Sequence, residues 1–230
     1  MFKETDILFE DNHLIVVNKH AGDLVQPDPS GNSALENEIK AFIKIRDGKP
    51  GEVFLGVIHR LDRPVSGAVA FAKTSKALTR MNEMLKRHEL HKTYWAITER
   101  CPEPPQGELR HYIVRNPKTN KSYASDHPTD SAKEARLGYR LLAGSERYYL
   151  VEIELHTGRH HQIRCQLSKI GCPIRGDLKY GAARSLHGGG ISLHARSLEF
   201  IHPVRKEPVR IIAPVPSDDN LWTYFETAAV

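Results

Sequence analysis

Apolar and polar positions alternate along this chain in short runs. Ile7-Leu8-Phe9 and Leu14-Ile15-Val16-Val17 stand on either side of Asp11-Asn12-His13, which predicts a hairpin. Asp23 to Asn32 carries Pro27, Pro29 and Gly31 and reads as a loop. Ser33 then opens a helix, with Glu36 three residues on as a capping box. Leu35, Ile39, Phe42 and Ile43 share one face of it, and Gly48 and Pro50 end it. Val53 to Ile58 and Ala68 to Ala72 are strand candidates. Between them lies a polar loop, His59-Arg60-Leu61-Asp62-Arg63-Pro64-Val65-Ser66-Gly67. A second helix is capped by Thr74 or Ser75, with Leu78, Met81 and Leu85 as its core stripe.

Strands are expected at Lys92 to Thr98, Leu109 to Val114, Ala135 to Leu142 and Tyr148 to Leu155. Asn116-Pro117 and Gly144-Ser145 mark turns between them. Thr157-Gly158-Arg159 leads into a helix from about His160 to Ile170, stopped by Gly171 and Pro173. From Ile191 to Ala213 short strands alternate with turns, and Gly188-Gly189-Gly190 reads as a short flexible loop. Strands outnumber helices and do not follow strict strand–helix–strand order. The expected class is α+β with a largely antiparallel or mixed sheet. There is no internal repeat, heptad pattern or low-complexity tract.

A hydrophobic fraction of 40% in 230 residues supports a sizeable interior. Lys plus Arg is 33 against 28 for Asp plus Glu, a formal net charge of +5, and a basic balance favours polyanionic partners such as nucleic acid. Three cysteines, Cys101, Cys165 and Cys172, lack framework spacing, which argues against a disulfide-stapled secreted fold. The N-terminal residues lack the apolar core of a signal peptide, and no apolar run is long enough to span a bilayer. The expectation is a soluble protein of a reducing compartment, the cytoplasm.

Two stretches concentrate chemistry. Asp62 lies between Arg60 and Arg63, whose charges favour the ionised carboxylate, and an ionised Asp held rigidly acts as nucleophile or base. On spacing alone a solvated ion-pair cluster is the better reading. The second stretch is Thr157-Gly158-Arg159-His160-His161-Gln162-Ile163-Arg164, a glycine turn opening a donor-rich helix that would attract anions such as phosphate. Ile163, Leu167 and Ile170 belong to the core in either reading. Tyr94 lies in a strand, where a tyrosine is either core or a ring available to stack on a base. His160, His161 and Cys165 lack the paired spacing of a zinc site. No phosphate-binding loop, dinucleotide fingerprint or nucleophile-elbow motif occurs.

Taken together, the chain resembles the RluA-type pseudouridine synthases. The resemblance rests on His59-Arg60-Leu61-Asp62 with Ser66-Gly67, on Lys92-Thr93-Tyr94-Trp95-Ala96, and on Thr157 to Arg164. It continues in Pro173-Ile174-Arg175-Gly176-Asp177-Leu178-Lys179-Tyr180-Gly181 and in Leu193 to Pro203, with Ile7 to Gly22 similar to the family's first hairpin. These fall in the family's order along nearly the whole chain. The resemblance implies one catalytic domain over residues 1–230, two lobes sharing a curved, mixed, largely antiparallel sheet split by a catalytic cleft and flanked by helices. It implies that Asp62 is the essential carboxylate, Tyr94 the active-site tyrosine and Arg164 the arginine that pairs with the Asp. His59, Arg60, Arg63, Arg159, His161 and Gln162 would contact RNA, and Leu61 and Ile163 would line the base pocket. The expected substrate is a stem-loop of ribosomal or transfer RNA, flipped and isomerised by a monomer without cofactor or metal.

The family's separate N-terminal RNA-binding domain is expected to be absent. Lys19-His20-Ala21-Gly22 stands where the family often has Lys-Pro-x-Gly, Val65 where Thr is frequent, and Cys165-Gln166 where an apolar residue and His are common. Two other readings belong to other classes. One is an RNA-binding or chaperone module that has lost catalysis; it requires a missing catalytic residue. The other is a glycosidase-like hydrolase, which needs a second carboxylate as acid.

Overall fold

The computed structural model describes residues 2–28 and 31–229. In chain order its elements are β1 (Ile7–Glu10), β2 (Leu14–Lys19), α1 (Leu35–Arg46), β3 (Gly56–Val57), β4 (Ser66–Ala72), α2 (Ser75–Lys86), β5 (His91–Thr98), β6 (Gln106–Asn116), β7 (Lys121–Ser125), β8 (Lys133–Gly144), β9 (Tyr149–Leu155), α3 (Gln162–Lys169), β10 (Leu193–Ile201), β11 (Pro208–Ile212) and α4 (Asn220–Ala228). Eleven strands and four helices bear out the α+β class. Every ladder whose register is described is antiparallel. The chain forms two compact units: residues up to Leu90 with Ala195–Pro214, and His91–His194 with the residues from Val215 onward.

In the first unit the strands lie in the order β1-β2-β4-β10, with β3 on β4 and β11 on β10. Leu14, Ile15, Val16 and Val17 are all fully buried. Strand β2 is central, so both of its faces are covered and its sequence is continuously apolar rather than alternating. Leu14, Val16, Ala68 and Ala70 pack with Ala77, Met81 and Met84 of α2 and with Leu198 and Phe200 of β10. Gly67 allows β4 and β10 to meet. A Cβ there would stand 2.4 Å from the Ala195 carbonyl oxygen, and its φ of +113° suits only glycine.

The caps follow sequence rules only in part. Thr74 Oγ1 accepts from the Ala77 amide at 3.2 Å, as expected of an N-cap. Helix α1 instead starts at Leu35 after Ala34, without a side-chain cap. The Ser33 hydroxyl donates to Glu38 Oε1 at 2.8 Å, so the box with Glu36 does not form. The strand expected over Val53 to Ile58 shrinks to Gly56–Val57, which lie in register with Ala72 and Phe71 of β4, with the Ile58 amide adding a bond to the Ala70 carbonyl at 3.3 Å. The loop from Asp23 to Asn32 lies partly outside the described residues.

The second unit orders its strands β5-β9-β8-β6-β7. One cluster packs Trp95, Ile97 and Leu150 against Trp222 and Phe225 of α4. The other joins Ile113 and Ala135 to Cys165 of α3 and to Tyr180. Among the described residues no helix is long and apolar enough to cross a membrane.

Candidate catalytic site

The Asp62 loop joins β3 to β4 and is tied to the end of β2. Lys19 closes that strand, is 1% exposed, and donates from Nζ to the carbonyls of His20 (2.9 Å), Arg63 (3.1 Å) and Val65 (2.7 Å). Burial pushes its ammonium down to about 8, against the opposing pull of Asp23 and Asp62. The Val65 amide closes the turn on the Asp62 carbonyl at 3.0 Å. Arg63 ties the loop to the preceding turn: its carbonyl accepts from the Gly22 amide at 2.8 Å, and its Nε donates to the Gly22 carbonyl at 3.0 Å. The backbone of the loop is thus fixed from beneath, while the Asp62 side chain is half-buried and Arg60 and Arg63 are exposed. Leu61 is buried. His59 is half-buried, and its Nε2 accepts from the Ala70 amide at 3.2 Å, stitching the loop to β4. The backbone that carries Asp62 is thereby set before any ligand arrives.

In the second unit Tyr94 sits on β5 opposite Ile153 of β9 and is buried. The turn before α3 is clamped by Gln162. Its Oε1 accepts from the Thr157 hydroxyl (2.8 Å) and the Arg159 amide (3.0 Å), and its Nε2 donates to the Arg136 carbonyl (3.0 Å). Arg159 is exposed, with Nε donating to the Glu134 carbonyl at 2.8 Å. His161 enters the helix with a left-handed φ of 51° and is buried, its Nδ1 lying 2.9 Å from the Tyr180 hydroxyl. Ile163 is buried.

Arg164 is 5% exposed and Asp177 1%. The guanidinium donates through Nε (2.7 Å) and Nη2 (2.8 Å) to the two Asp177 oxygens, the planar fork geometry that only arginine supplies. Among the described residues no group of histidine, cysteine and carboxylate side chains is arranged to hold a metal ion.

These residues meet a known pattern. The family model described as RNA pseudouridylate synthase matches residues 13–169. The chain belongs to this family. Ribosomal large subunit pseudouridine synthase D of Xylella fastidiosa is 36% identical, over 93% of this chain and 66% of its own length. The uncharacterized RNA pseudouridine synthase YhcT of Bacillus subtilis is 35% identical, over 97% of this chain and 74% of its own. The chain thus spans about two thirds to three quarters of the length of these relatives. Human RNA Pseudouridylate Synthase Domain Containing 4 superposes with a TM-score of 0.79 at 25% identity, covering 98% of this chain and 93% of that one. Human RNA Pseudouridylate Synthase Domain Containing 1 gives 0.71 at 23% identity, which bears out the pseudouridine synthase fold. Members of the family are isomerases that modify RNA.

Within that family frame, two groups went unassigned from the sequence. Lys19 is one: a lysine ending an unbroken apolar strand is the available signal, since it must be satisfied by polar groups where the strand ends. Asp177 is the other, in a conspicuous acidic-aromatic turn to which the sequence attached no task.

Proposed function

We propose that this chain isomerises specific uridines of a structured ribosomal or transfer RNA to pseudouridine, with Asp62 as the reacting carboxylate. The observation that carries this reading is the Asp62 loop. Its backbone is locked by the Lys19 ammonium and by the Gly22 turn, yet Asp62 itself is half-buried rather than sealed in. That is what a group needs if it must meet a sugar carbon without reorganising.

The target base must first leave its stack, at a cost of about a few kcal/mol. Exposed Arg60, Arg63 and Arg159 would offset that cost by holding phosphates. Asp62 then either attacks C1′, displacing uracil through N1, or removes the C2′ proton to give a glycal. In both routes the N1–C1′ bond breaks, the uracil turns and C5 bonds to C1′, as the Asp62–C1′ bond breaks in the first route or Asp62 returns the proton to C2′ in the second; the C5 proton is then lost and N1 gains one. Tyr94 would stack on the uracil and assist that last proton transfer, and Arg164 would keep the carboxylate charged and oriented. Leu61 and Ile163 would line an apolar pocket that retains the detached base. His59, His161 and Gln162, expected to touch RNA, are hydrogen-bonded within the chain and would act by shaping the loops. On the same reading the chain works as one catalytic domain and as a monomer, in the cytoplasm, with no cofactor.

Asp62→Ala and Asp62→Asn should fold normally and lose tritium release from 5-tritiated uridine in RNA by at least about a thousandfold. Full activity in either variant removes Asp62 from the mechanism. Product analysis separates the classes: pseudouridine retained in the RNA supports the isomerase, whereas free uracil marks a hydrolase. Binding without either product in the unaltered chain would favour an RNA-binding module.

A further inference from the structure

The stretch from Pro173 to Gly181 carries no role in the reaction as written above, yet it is built around Arg164. After Gly176 the chain folds into a tight turn in which the amides of Tyr180 (2.9 Å) and Ala182 (3.1 Å) donate to the Asp177 carbonyl. That turn places the Asp177 carboxylate and the Tyr180 ring against the same guanidinium. Asp177 holds the Nε–Nη2 edge. The Tyr180 ring centroid lies 5.0 Å from Arg164 Cζ, within cation–π reach. Two parallel N–H···O bonds fix the position of the guanidinium edge but leave its plane soft to tilting about that edge. A ring against the face removes that freedom.

The ring is in turn fixed by its hydroxyl. Tyr180 is 3% exposed, and its oxygen accepts from the Ser122 amide at 2.8 Å. On its other side stands His161 Nδ1 at 2.9 Å. Burial raises the Tyr180 phenol to about 12. Burial, with Arg164 and His160 adding to it, depresses the His161 imidazole to about 2. The phenol therefore keeps its proton and the imidazole stays neutral, so hydroxyl and Nδ1 are joined by a hydrogen bond between two uncharged groups. His161 is braced by stacking on His160, with centroids 3.7 Å apart, while His160 Nδ1 lies 2.8 Å from the Ser122 hydroxyl. A left-handed backbone at a non-glycine residue persists only where its surroundings dictate it.

We propose that Tyr180 and His161 are positioning residues for Arg164, the ring of Tyr180 setting the tilt of the guanidinium and His161 holding that ring by its hydroxyl. This rests on the assignment of Arg164 to the reaction. It gives His161 a task inside the protein rather than at the RNA surface.

Single-turnover kcat and KM on a substrate RNA test it, with thermal melting as the check on folding. Tyr180→Phe, which keeps the ring and loses the hydroxyl, should lower kcat by about tenfold with KM within about twofold; Tyr180→Leu should lower kcat by about a hundredfold. His161→Ala should match Tyr180→Phe. His161→Asn should recover most of that loss, because its Oδ1 accepts near the place of Nδ1 and Asn tolerates the left-handed backbone. In an Arg164→Lys background, where no planar face remains, Tyr180→Phe should cost little more. Should Tyr180→Leu fail to fold, Tyr180→Phe and His161→Asn decide the matter. Unchanged kcat in Tyr180→Phe, or a raised KM alone, overturns the proposal, as does full additivity with Arg164→Lys. An Arg164→Lys enzyme with undiminished kcat instead overturns the assignment of Arg164 itself.

Discussion

Each unit buries a cation, and the two are satisfied in opposite ways. Lys19, 1% exposed, meets only backbone carbonyls, those of His20, Arg63 and Val65. Arg164, 5% exposed, meets a carboxylate through two parallel bonds to Asp177. Carbonyl dipoles occupy all three ammonium protons but bring no opposing formal charge, so desolvation prevails and the Lys19 ammonium falls to about 8. A bidentate carboxylate neutralises its partner and fixes its plane, and guanidinium stays charged at any pH the fold survives. The lesson concerns what each site requires. Lys19 shapes a backbone, for which a compact donor suffices. On the proposed reading Arg164 has to present a face and an edge in one orientation, and a paired fork supplies that.

The contrast can be broken most severely at Asp177. Asp177→Ala takes the bidentate carboxylate away from a buried guanidinium and should cost about 3–5 kcal/mol. For a chain of this length that is about 10 °C in the melting midpoint. Replacing both partners, Arg164→Met with Asp177→Leu, should restore much of that stability while leaving the enzyme inactive; a double variant no more stable than the single would show that the pair does not behave as a unit. Lys19→Met should be milder, about 1–2 kcal/mol, because the lost hydrogen bonds are partly offset by relief of the buried charge. A loss as large as that of Asp177→Ala, read by urea unfolding, would erase the distinction drawn here.

The smallest effect is a slope. The folded ammonium of Lys19 titrates near 8 and the unfolded one near its ordinary 10.5. Between these values the unfolded chain binds more protons, so the penalty for burying the charge is complete below about 8 and is relieved as pH rises towards 10.5. The stability of the unaltered chain minus that of Lys19→Met should therefore grow from pH 8 to pH 10. A difference that is flat or shrinks over that range would mean the ammonium is not held as described.

Where the chain announces its elements, it does so through burial that repeats. The all-apolar run of β2 and the Leu35, Ile39, Ile43 face of α1 are examples. Strand β7 escaped notice because only Ser122 within it is fully buried; it exists by pairing with β6, not by its own pattern. Helix α4 escaped because it offers just two buried anchors, Trp222 and Phe225, although Asp219 caps it by accepting from the Leu221 amide at 3.0 Å. Asp62, Tyr94 and Arg164 came forward as candidates through family motifs alone, since no spacing rule separates a reactive Asp from an ion-paired one. Lys19 and Asp177 were not, because their tasks depend on partners 46 and 13 residues away. The expected Ser33 cap failed for a local reason: Glu38, one turn into the helix, takes the hydroxyl instead.

The first unit is assembled from two separated lengths of chain, and Gly67 lies where they touch, its Cα facing Ala195. During synthesis β4 must therefore wait for β10 until residues 91–194 have been made, roughly 5–20 s at ordinary elongation speeds. Throughout that interval the nascent protein carries an apolar strand with one side unpaired, the feature that invites chaperones or misassociation. Slow, late-closing production is thus written into the topology, and expression at reduced temperature or with added holdase capacity should raise the soluble yield.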